Sequence, residues 1–184
     1  MRYITLAICS LFAAFMVYIG HAAAQVQIPV APNVQLEDLT PFARQEIECL
    51  AQNMYFEAGL EPVKGQLAVA FVTHNRMQSG VFPNTYCEVV KQRVGNVCQF
   101  SWVCEKRPKV MIDKKVLTIE NNLIYNKITD MAMQFYLYTE NFKDPTKGAL
   151  YFHADYVKPG WNNMRYTAQI GRHLFYNKVY RKPT

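Results

Sequence analysis

Glu57 is the residue of this sequence whose position best suits acid–base chemistry. Apolar residues recur before it at spacings of three and four, which predicts an amphipathic helix; they are Ile47, Leu50, Ala51, Met54 and Ala58. Glu57 lies at the edge of this stripe, and Gly59 ends the predicted helix just after it. Withdrawal from water disfavours a charged carboxyl group, so we expect a raised pKa that allows proton donation near neutral pH. The alternative is a glutamate that caps the helix or pairs with Lys64.

Histidines are the other residues with obvious chemical potential, because imidazole is a common zinc ligand. His74, His153 and His173, with Glu57 and Asp155, could in principle form a zinc site. They lack the HExxH spacing or any similar ligand pair, so we predict that the domain binds no metal and uses no cofactor.

Two pairs of polar residues are expected to have different roles, the first structural and the second at a cleft. Asn75 and Arg76 end a predicted helix, and we expect a structural role in which Arg76 bonds the carbonyls of that helix. Tyr151 and His153 occupy alternate positions of a predicted strand, so they share one face. That face could line a cleft, with the Tyr151 hydroxyl as a hydrogen-bond donor.

The helices that would hold these residues have recognisable starts. Thr40 and Pro41 supply the N-cap hydroxyl and the first-turn proline that begin a helix. A second helix is predicted to start with Glu61 as a cap and Pro62 in its first turn. This helix is apolar on most faces, which predicts a central place in the core. Two further helices are expected, a short one at 87–92 and a long one from Thr118.

Three β-prone runs follow the helices, at 149–154, 164–170 and 173–179. Gly171 and Arg172 separate the last two and predict a hairpin. Helices followed by a small antiparallel sheet near the C-terminus define an α+β domain that is mainly helical. The predicted organisation is a signal peptide or signal anchor at 1–24, an extended linker at 25–39 and one catalytic domain at 40–184.

Five blocks of sequence resemble, in order, those of the SleB/CwlJ-type cell-wall hydrolases, the spore cortex-lytic enzymes and their relatives. The blocks are FEAGLEPVKGQLAVAFVTHNRM, VFPNTYCEVV, CQFSWVC, GALYFHADYVKPGW and IGRHLFY, within residues 49–176. The resemblance implies a fold similar to lysozyme and lytic transglycosylases. It also implies that Glu57, the first acid of the family's E-A-x-x-E-P-x-x-G-Q motif, is the essential residue.

The resemblance also suggests residues that bind substrate. The family keeps its Q-F-S block beside the cleft, which places Gln99 and Ser101 there as hydrogen-bonding groups. Phe100 and Trp102 either offer an apolar face to a sugar ring or fill the core beneath a disulfide. Trp161 likewise either stacks on sugar or fills the core.

Cleavage of a glycosidic bond needs a proton for the leaving oxygen and a group that meets the oxocarbenium-like centre. Glu57 alone has a suitable setting, whereas Glu105 and Asp155 are carboxylates without a defined geometry. A lone acid fits a lytic transglycosylase that cuts the MurNAc–GlcNAc backbone of peptidoglycan and leaves 1,6-anhydro-MurNAc ends. Hydrolysis with water remains an alternative, as do an N-acetylmuramoyl-L-alanine amidase and a non-catalytic peptidoglycan-binding module.

The cysteines are consistent with an exported protein. Cys9 would leave with the signal, and an even number of cysteines remains. Four cysteines allow three pairings; Cys98 and Cys104 close a short loop and are the favoured pair, which leaves Cys49 with Cys87. A zinc site is a poor alternative because no CxxC is present.

The N-terminus and the charge indicate the compartment and the partners. A basic start, an apolar run over residues 3–20 and an A-x-A pattern predict a secretory signal, with an uncleaved anchor as the alternative. Cleavage would lower the formal charge from +6 to +5, which suits an anionic wall polymer. Lysines and arginines are scattered, so we predict no nucleic-acid partner. We expect a monomer that is secreted or periplasmic and touches a membrane only if the signal is uncleaved.

Overall fold

The computed structural model describes residues 34–105, 110–112, 115–117 and 123–179. The predicted signal segment lies outside the described residues, as does the linker up to residue 33. The described end of the linker forms one 3₁₀ turn, Leu36–Asp38, which is followed by the N-cap residue of the first helix. No helix within these described ranges is long and apolar enough to cross a membrane.

Four α-helices and seven strands are the main elements of the described chain. The helices are α1 (Pro41–Ala58), α2 (Val63–Gln78), α3 (Tyr86–Lys91) and α4 (Leu123–Leu137). The strands are β1 (Arg93–Val94), β2 (Val97–Cys98), β3 (Val110–Ile112), β4 (Lys115–Leu117), β5 (Tyr151–Ala154), β6 (Met164–Ile170) and β7 (His173–Lys178). The predicted start of the long helix at Thr118 lies outside the described residues.

The first helix begins and ends where the sequence predicts. Thr40 Oγ1 accepts a hydrogen bond from the Ala43 amide (3.2 Å), and Pro41 is the first helical residue. At the other end the Gly59 amide donates to the Tyr55 carbonyl and closes α1 after Ala58. Glu57 therefore lies in the last turn of a helix whose opposite face is in the core.

The junction between α1 and α2 differs from the prediction. Pro62 precedes α2 in an extended conformation, so it is the N-cap residue and does not lie in the first turn. Glu61 does not cap the helix, because its carboxylate accepts the Arg172 amide (3.3 Å) in the β6–β7 turn. Gly171 makes this approach possible, since it has a positive φ and a side chain there would overlap the Glu61 carboxylate.

The main core lies between α1, α2 and α4. Its fully buried side chains include Ile47, Leu50 and Met54, which confirms the apolar stripe predicted for α1. Ten of the sixteen residues of α2 are buried, so its predicted central position is also confirmed. A second cluster packs α2 against the C-terminal sheet through Val72 and Phe175.

The C-terminal sheet is antiparallel with the order β5–β7–β6, and the predicted hairpin at Gly171–Arg172 joins β6 to β7. Two small hairpins, β1–β2 and β3–β4, were not expected. The domain is therefore α+β and mainly helical, which confirms the predicted fold class. Disulfide bonds join Cys49 to Cys87 and Cys98 to Cys104, the two pairs favoured from the sequence.

Candidate active site

An open cleft of about 540 Å³ lies between the end of α1, the 99–105 segment and the sheet. It is lined by Phe56, Glu57, Arg76, Gln99, Phe100, Ser101, Trp102, Glu105, Phe152, His153, Ala154, Tyr156, Val157 and His173. A second cavity of about 400 Å³ adjoins it and shares five of these residues: Phe56, Glu57, Ala154, Tyr156 and His173. Glu57 thus lies where the two cavities meet, and together they form a groove on both sides of its carboxyl group.

The Glu57 carboxyl group has the acid–base character predicted from its position. Its pKa is raised from 4.5 to about 7, mainly because burial disfavours the charged form. The positive charge of Arg76 opposes this rise, and the negative charge of Glu105 adds to it. About half of the Glu57 side chains are therefore protonated at neutral pH, which is the state a general acid requires.

Arg76 lines the same cleft, a location that its position at the end of a predicted helix did not indicate. It is 4% exposed, and its Nε donates to the carbonyl of Leu150 (2.8 Å), before β5, not to its own helix as expected. Its guanidinium lies 4.9 Å from the Phe100 ring centroid and 5.1 Å from that of Phe82. Burial lowers its pKa to about 10, so it remains charged at neutral pH.

Aromatic rings form one wall of the cleft. Phe56 and Trp102 stack with their centroids 4.7 Å apart. The Trp102 indole donates to Asn53 Oδ1 (3.0 Å), and the buried Asn53 in turn donates to Thr73 (3.1 Å). Trp102 is therefore a fixed wall, whereas Phe100 is 2% exposed and belongs to the core.

Three residues predicted to bind substrate line this cleft, namely Gln99, Ser101 and His153. The side chains of Gln99 and Ser101 have no hydrogen-bond partner among the described residues. His153 is more constrained, since its Nε2 lies 3.2 Å from the Tyr176 hydroxyl and its Nδ1 2.9 Å from the Ala154 carbonyl. The side chains of Gln99 and Ser101 can offer hydrogen bonds to a polar ligand beside Glu57, whereas His153 can do so only by exchanging one of its present partners.

Tyr151 and Trp161, by contrast, do not line the groove, which corrects the expectation that they could contact substrate there. Both border a separate depression of about 170 Å³. The loop after β5 returns Trp161 against the rings of Tyr151 (6.0 Å) and His153 (5.5 Å). The Tyr151 ring also packs on the ring of Phe82. It therefore contacts Phe82 and Trp161 and is not among the residues that line the groove.

The histidines are not brought together as a zinc site would require. His74 Nδ1 lies 2.8 Å from the Tyr86 hydroxyl, outside the groove. His173 lines both cavities but is 8% exposed, and burial lowers its pKa, so it is neutral. Across the described ranges no three His, Cys, Asp or Glu side chains are grouped closely enough to hold one metal ion.

The remaining carboxylates differ from Glu57. Asp155 is exposed and pairs with Arg172 (3.4 Å), and Glu61 lines only the second cavity and is held by the β6–β7 turn. Glu105 lines the cleft but is exposed. Glu57, by contrast, is largely withdrawn from water, and its pKa is raised to about 7.

A mainly helical α+β domain with a buried carboxyl group in an open groove, as described here, is of the lysozyme-like class. A model of the cell wall hydrolase family matches residues 60–176, and the chain belongs to this family. The matched range begins three residues after Glu57, so the match itself does not include that residue.

Two spore cortex-lytic enzymes are similar in sequence to much of this chain. It is 30% identical over 156 residues to the spore cortex-lytic enzyme of Bacillus subtilis (strain 168), which covers 84% of this chain and 43% of that protein. It is 29% identical over 136 residues to the spore cortex-lytic enzyme of Oceanobacillus iheyensis, covering 73% and 42%. The chain therefore spans less than half the length of these relatives.

Two solved structures have a similar fold. The catalytic domain of the Bacillus cereus SleB protein superposes with a TM-score of 0.51 at 27% identity, covering 80% of this chain and 95% of that one. The catalytic domain of the germination-specific lytic transglycosylase SleB from Bacillus anthracis gives a TM-score of 0.51 at 26% identity, covering 80% and 100%. The similarity thus includes almost all of both catalytic domains.

Proposed function

We propose that this protein is an exported peptidoglycan hydrolase that cleaves the MurNAc–GlcNAc backbone as a lytic transglycosylase. The observation that carries the proposal is the carboxyl group of Glu57, with a pKa of about 7, at the centre of an open groove. Membership of the cell wall hydrolase family supports the substrate class. The lytic transglycosylase activity named for the Bacillus anthracis relative supports the type of reaction.

Glu57 acts twice in this reaction. As an acid it gives its proton to the glycosidic oxygen while the bond from that oxygen to C1 of MurNAc breaks, which leaves an oxocarbenium-like centre. As a base it then takes the proton from the C6 hydroxyl of the same MurNAc, and O6 bonds to C1. The products are a free hydroxyl on the departing sugar and a 1,6-anhydro-MurNAc end. Glu57 is neutral again, and no water is consumed.

Other groove residues have supporting roles in the proposal. Gln99, Ser101 and His153 bind polar groups of the glycan, and the Phe56–Trp102 wall packs against a sugar face. The moderate positive charge of the chain favours association with an anionic wall polymer. We further propose a monomer without a nucleic-acid partner that acts outside the cytoplasm, secreted or periplasmic.

Digestion of purified sacculi with the full-length protein tests the reaction directly. Mass spectrometry of the released fragments should show anhydro-MurNAc ends. Hydrated reducing ends would instead indicate a hydrolytic muramidase, and freed stem peptides an amidase. Binding to sacculi without any release would indicate a non-catalytic module.

The rate of cleavage should depend on pH through the acid form of Glu57. Because its pKa is about 7, kcat/KM should fall roughly tenfold for each pH unit above that value. Initial rates of turbidity loss from sacculi at several pH values measure this limb. Circular dichroism over the same range controls for unfolding, and a rate that climbs through the alkaline range would contradict the assignment.

A further inference from the structure

Arg76 has an unusual environment for a charged residue. It is 4% exposed, and no carboxylate of the described chain lies within 4.0 Å of its nitrogens. Its Nη1 is buried and has no hydrogen-bond partner among the described residues. A buried charge without a paired counter-charge is costly to stability, so a purely structural role leaves its presence unexplained.

The surroundings of Arg76 fix the position of this charge. Its Nε bonds the Leu150 carbonyl, and the rings of Phe82, Phe100 and Tyr151 lie within 5.8 Å of its Cζ. These contacts link α2, the 99–105 segment and the start of β5. The guanidinium is therefore held rigidly at the groove, in the same cavity as the Glu57 carboxyl group.

We propose that Arg76 is a positioning residue whose fixed positive charge stabilises the Glu57 carboxylate that forms when the proton passes to the glycosidic oxygen. This inference rests on the proposed function. The two side chains are not an ion pair in the resting structure, and about half of the Glu57 side chains keep their proton at neutral pH. Arg76 is buried and Glu57 is largely withdrawn from water, so solvent screens the interaction between them less than it would screen two exposed groups.

Other charged and titratable groups also face Glu57. Glu105 raises its pKa, in opposition to Arg76, while the neutral His173 and the groups of His153 and Tyr156 line the same cleft. Arg76 and Glu105 therefore make opposite changes to one equilibrium. Their separate removal gives opposite expected results.

The test measures the pKa of Glu57 without any substrate. In a ¹³C NMR titration, the carboxyl signal of Glu57, assigned by its absence from the Glu57→Gln partner of each protein, changes with a midpoint that reports that pKa. Each pair consists of a protein and its Glu57→Gln partner. The pairs differ at position 76, which is either the natural Arg76 or carries Arg76→Met, Arg76→Gln or Arg76→Lys. Met is an apolar replacement for the buried stem, Gln keeps a donor for the Leu150 carbonyl, and Lys keeps the charge.

The neutral replacements should move the midpoint upwards by about one pH unit, and lysine should keep it near that of the natural protein. Glu105→Gln, at an exposed position, is the matched control and should move the midpoint downwards. The alkaline limb of cleavage by the Arg76 variants should move with the midpoint. A simple structural role would lower stability at every pH and leave the midpoint unchanged.

An unchanged midpoint in whichever neutral variant folds would overturn the proposal. So would a shifted midpoint with an unshifted alkaline limb. If the protein released no glycan at all, the proposed function would fail, but the substrate-free midpoints would still show whether Arg76 controls Glu57.

Discussion

Glu57→Gln should reduce glycan release by a factor of roughly 100 to 10,000, the usual contribution of a positioned general acid. Glutamine has nearly the same shape, but it cannot donate the proton or accept it back. The expected result is measured as the initial rate of soluble fragment release from purified sacculi. The matched control is Glu105→Gln, which alters a second, exposed carboxylate of the cleft and should change the rate only modestly, through its effect on the pKa of Glu57. Substantial release by Glu57→Gln would remove Glu57 from the reaction.

The same substitution should not weaken the fold. The folded-state pKa of Glu57, about 7, exceeds its usual value of 4.5. The stability that its neutral form contributes is therefore complete below about pH 4.5 and is lost as the pH rises through 7. Glutamine cannot ionise, so Glu57→Gln should match the natural protein near pH 4 and exceed it by up to about 3 kcal/mol near pH 8. Urea unfolding of both proteins at the two pH values measures this difference. If Glu57→Gln and the natural protein were equally stable at both pH values, the carboxyl group would not be withdrawn from water.

Local patterns in the sequence were sufficient for the helices and for Glu57. The stripe that contains Leu50 and Met54 fixes the buried face of α1, and Thr40 and Gly59 fix its ends. Helix geometry alone then places Glu57 at the edge of that face. The pairing of β6 with β7 was equally accessible, because Gly171 and Arg172 mark a two-residue hairpin between β-prone runs.

Residues whose partners are distant in the chain were harder to predict. Arg76 appeared to be a helix-terminal arginine, but its partners Phe100 and Leu150 come from segments that only tertiary packing brings together. Glu61 followed the pattern of a helix cap, yet the turn at Arg172 gave its carboxylate a tertiary partner.

Alternation along a strand also had limited value for the site. Tyr151 and His153 share a face of β5, but a groove has edges as well as faces. The groove passes His153, while Tyr151 lies two residues earlier in the strand, against Trp161. A sequence pattern identifies which way a side chain points, whereas the position of a groove along the strand depends on the loops that cover it.

Removal of the Cys49–Cys87 disulfide should cause the larger loss of stability of the two bridges. The cysteines are 38 residues apart, and the chain-entropy estimate for a loop of that length is about 4 kcal/mol. Cys98 and Cys104 are only 6 apart, which corresponds to about 2 kcal/mol. Urea unfolding of the Cys49→Ala/Cys87→Ala and Cys98→Ala/Cys104→Ala proteins measures both values.

The effects of the two bridges on catalysis should have the opposite order. Cys49–Cys87 joins α1 to α3, and the Glu46 carboxylate independently accepts the amides of Tyr86 (2.6 Å) and Cys87 (3.3 Å) at the same junction. The folded form of that variant should therefore keep Glu57 in place. The short bridge closes the segment that presents Gln99 and Ser101 to the groove. Loss of the short bridge should raise KM for sacculi under conditions in which the domain is still folded. An unchanged KM of the Cys98→Ala/Cys104→Ala protein, measured where it is folded, would show that the 98–104 loop does not need its bridge to hold the groove.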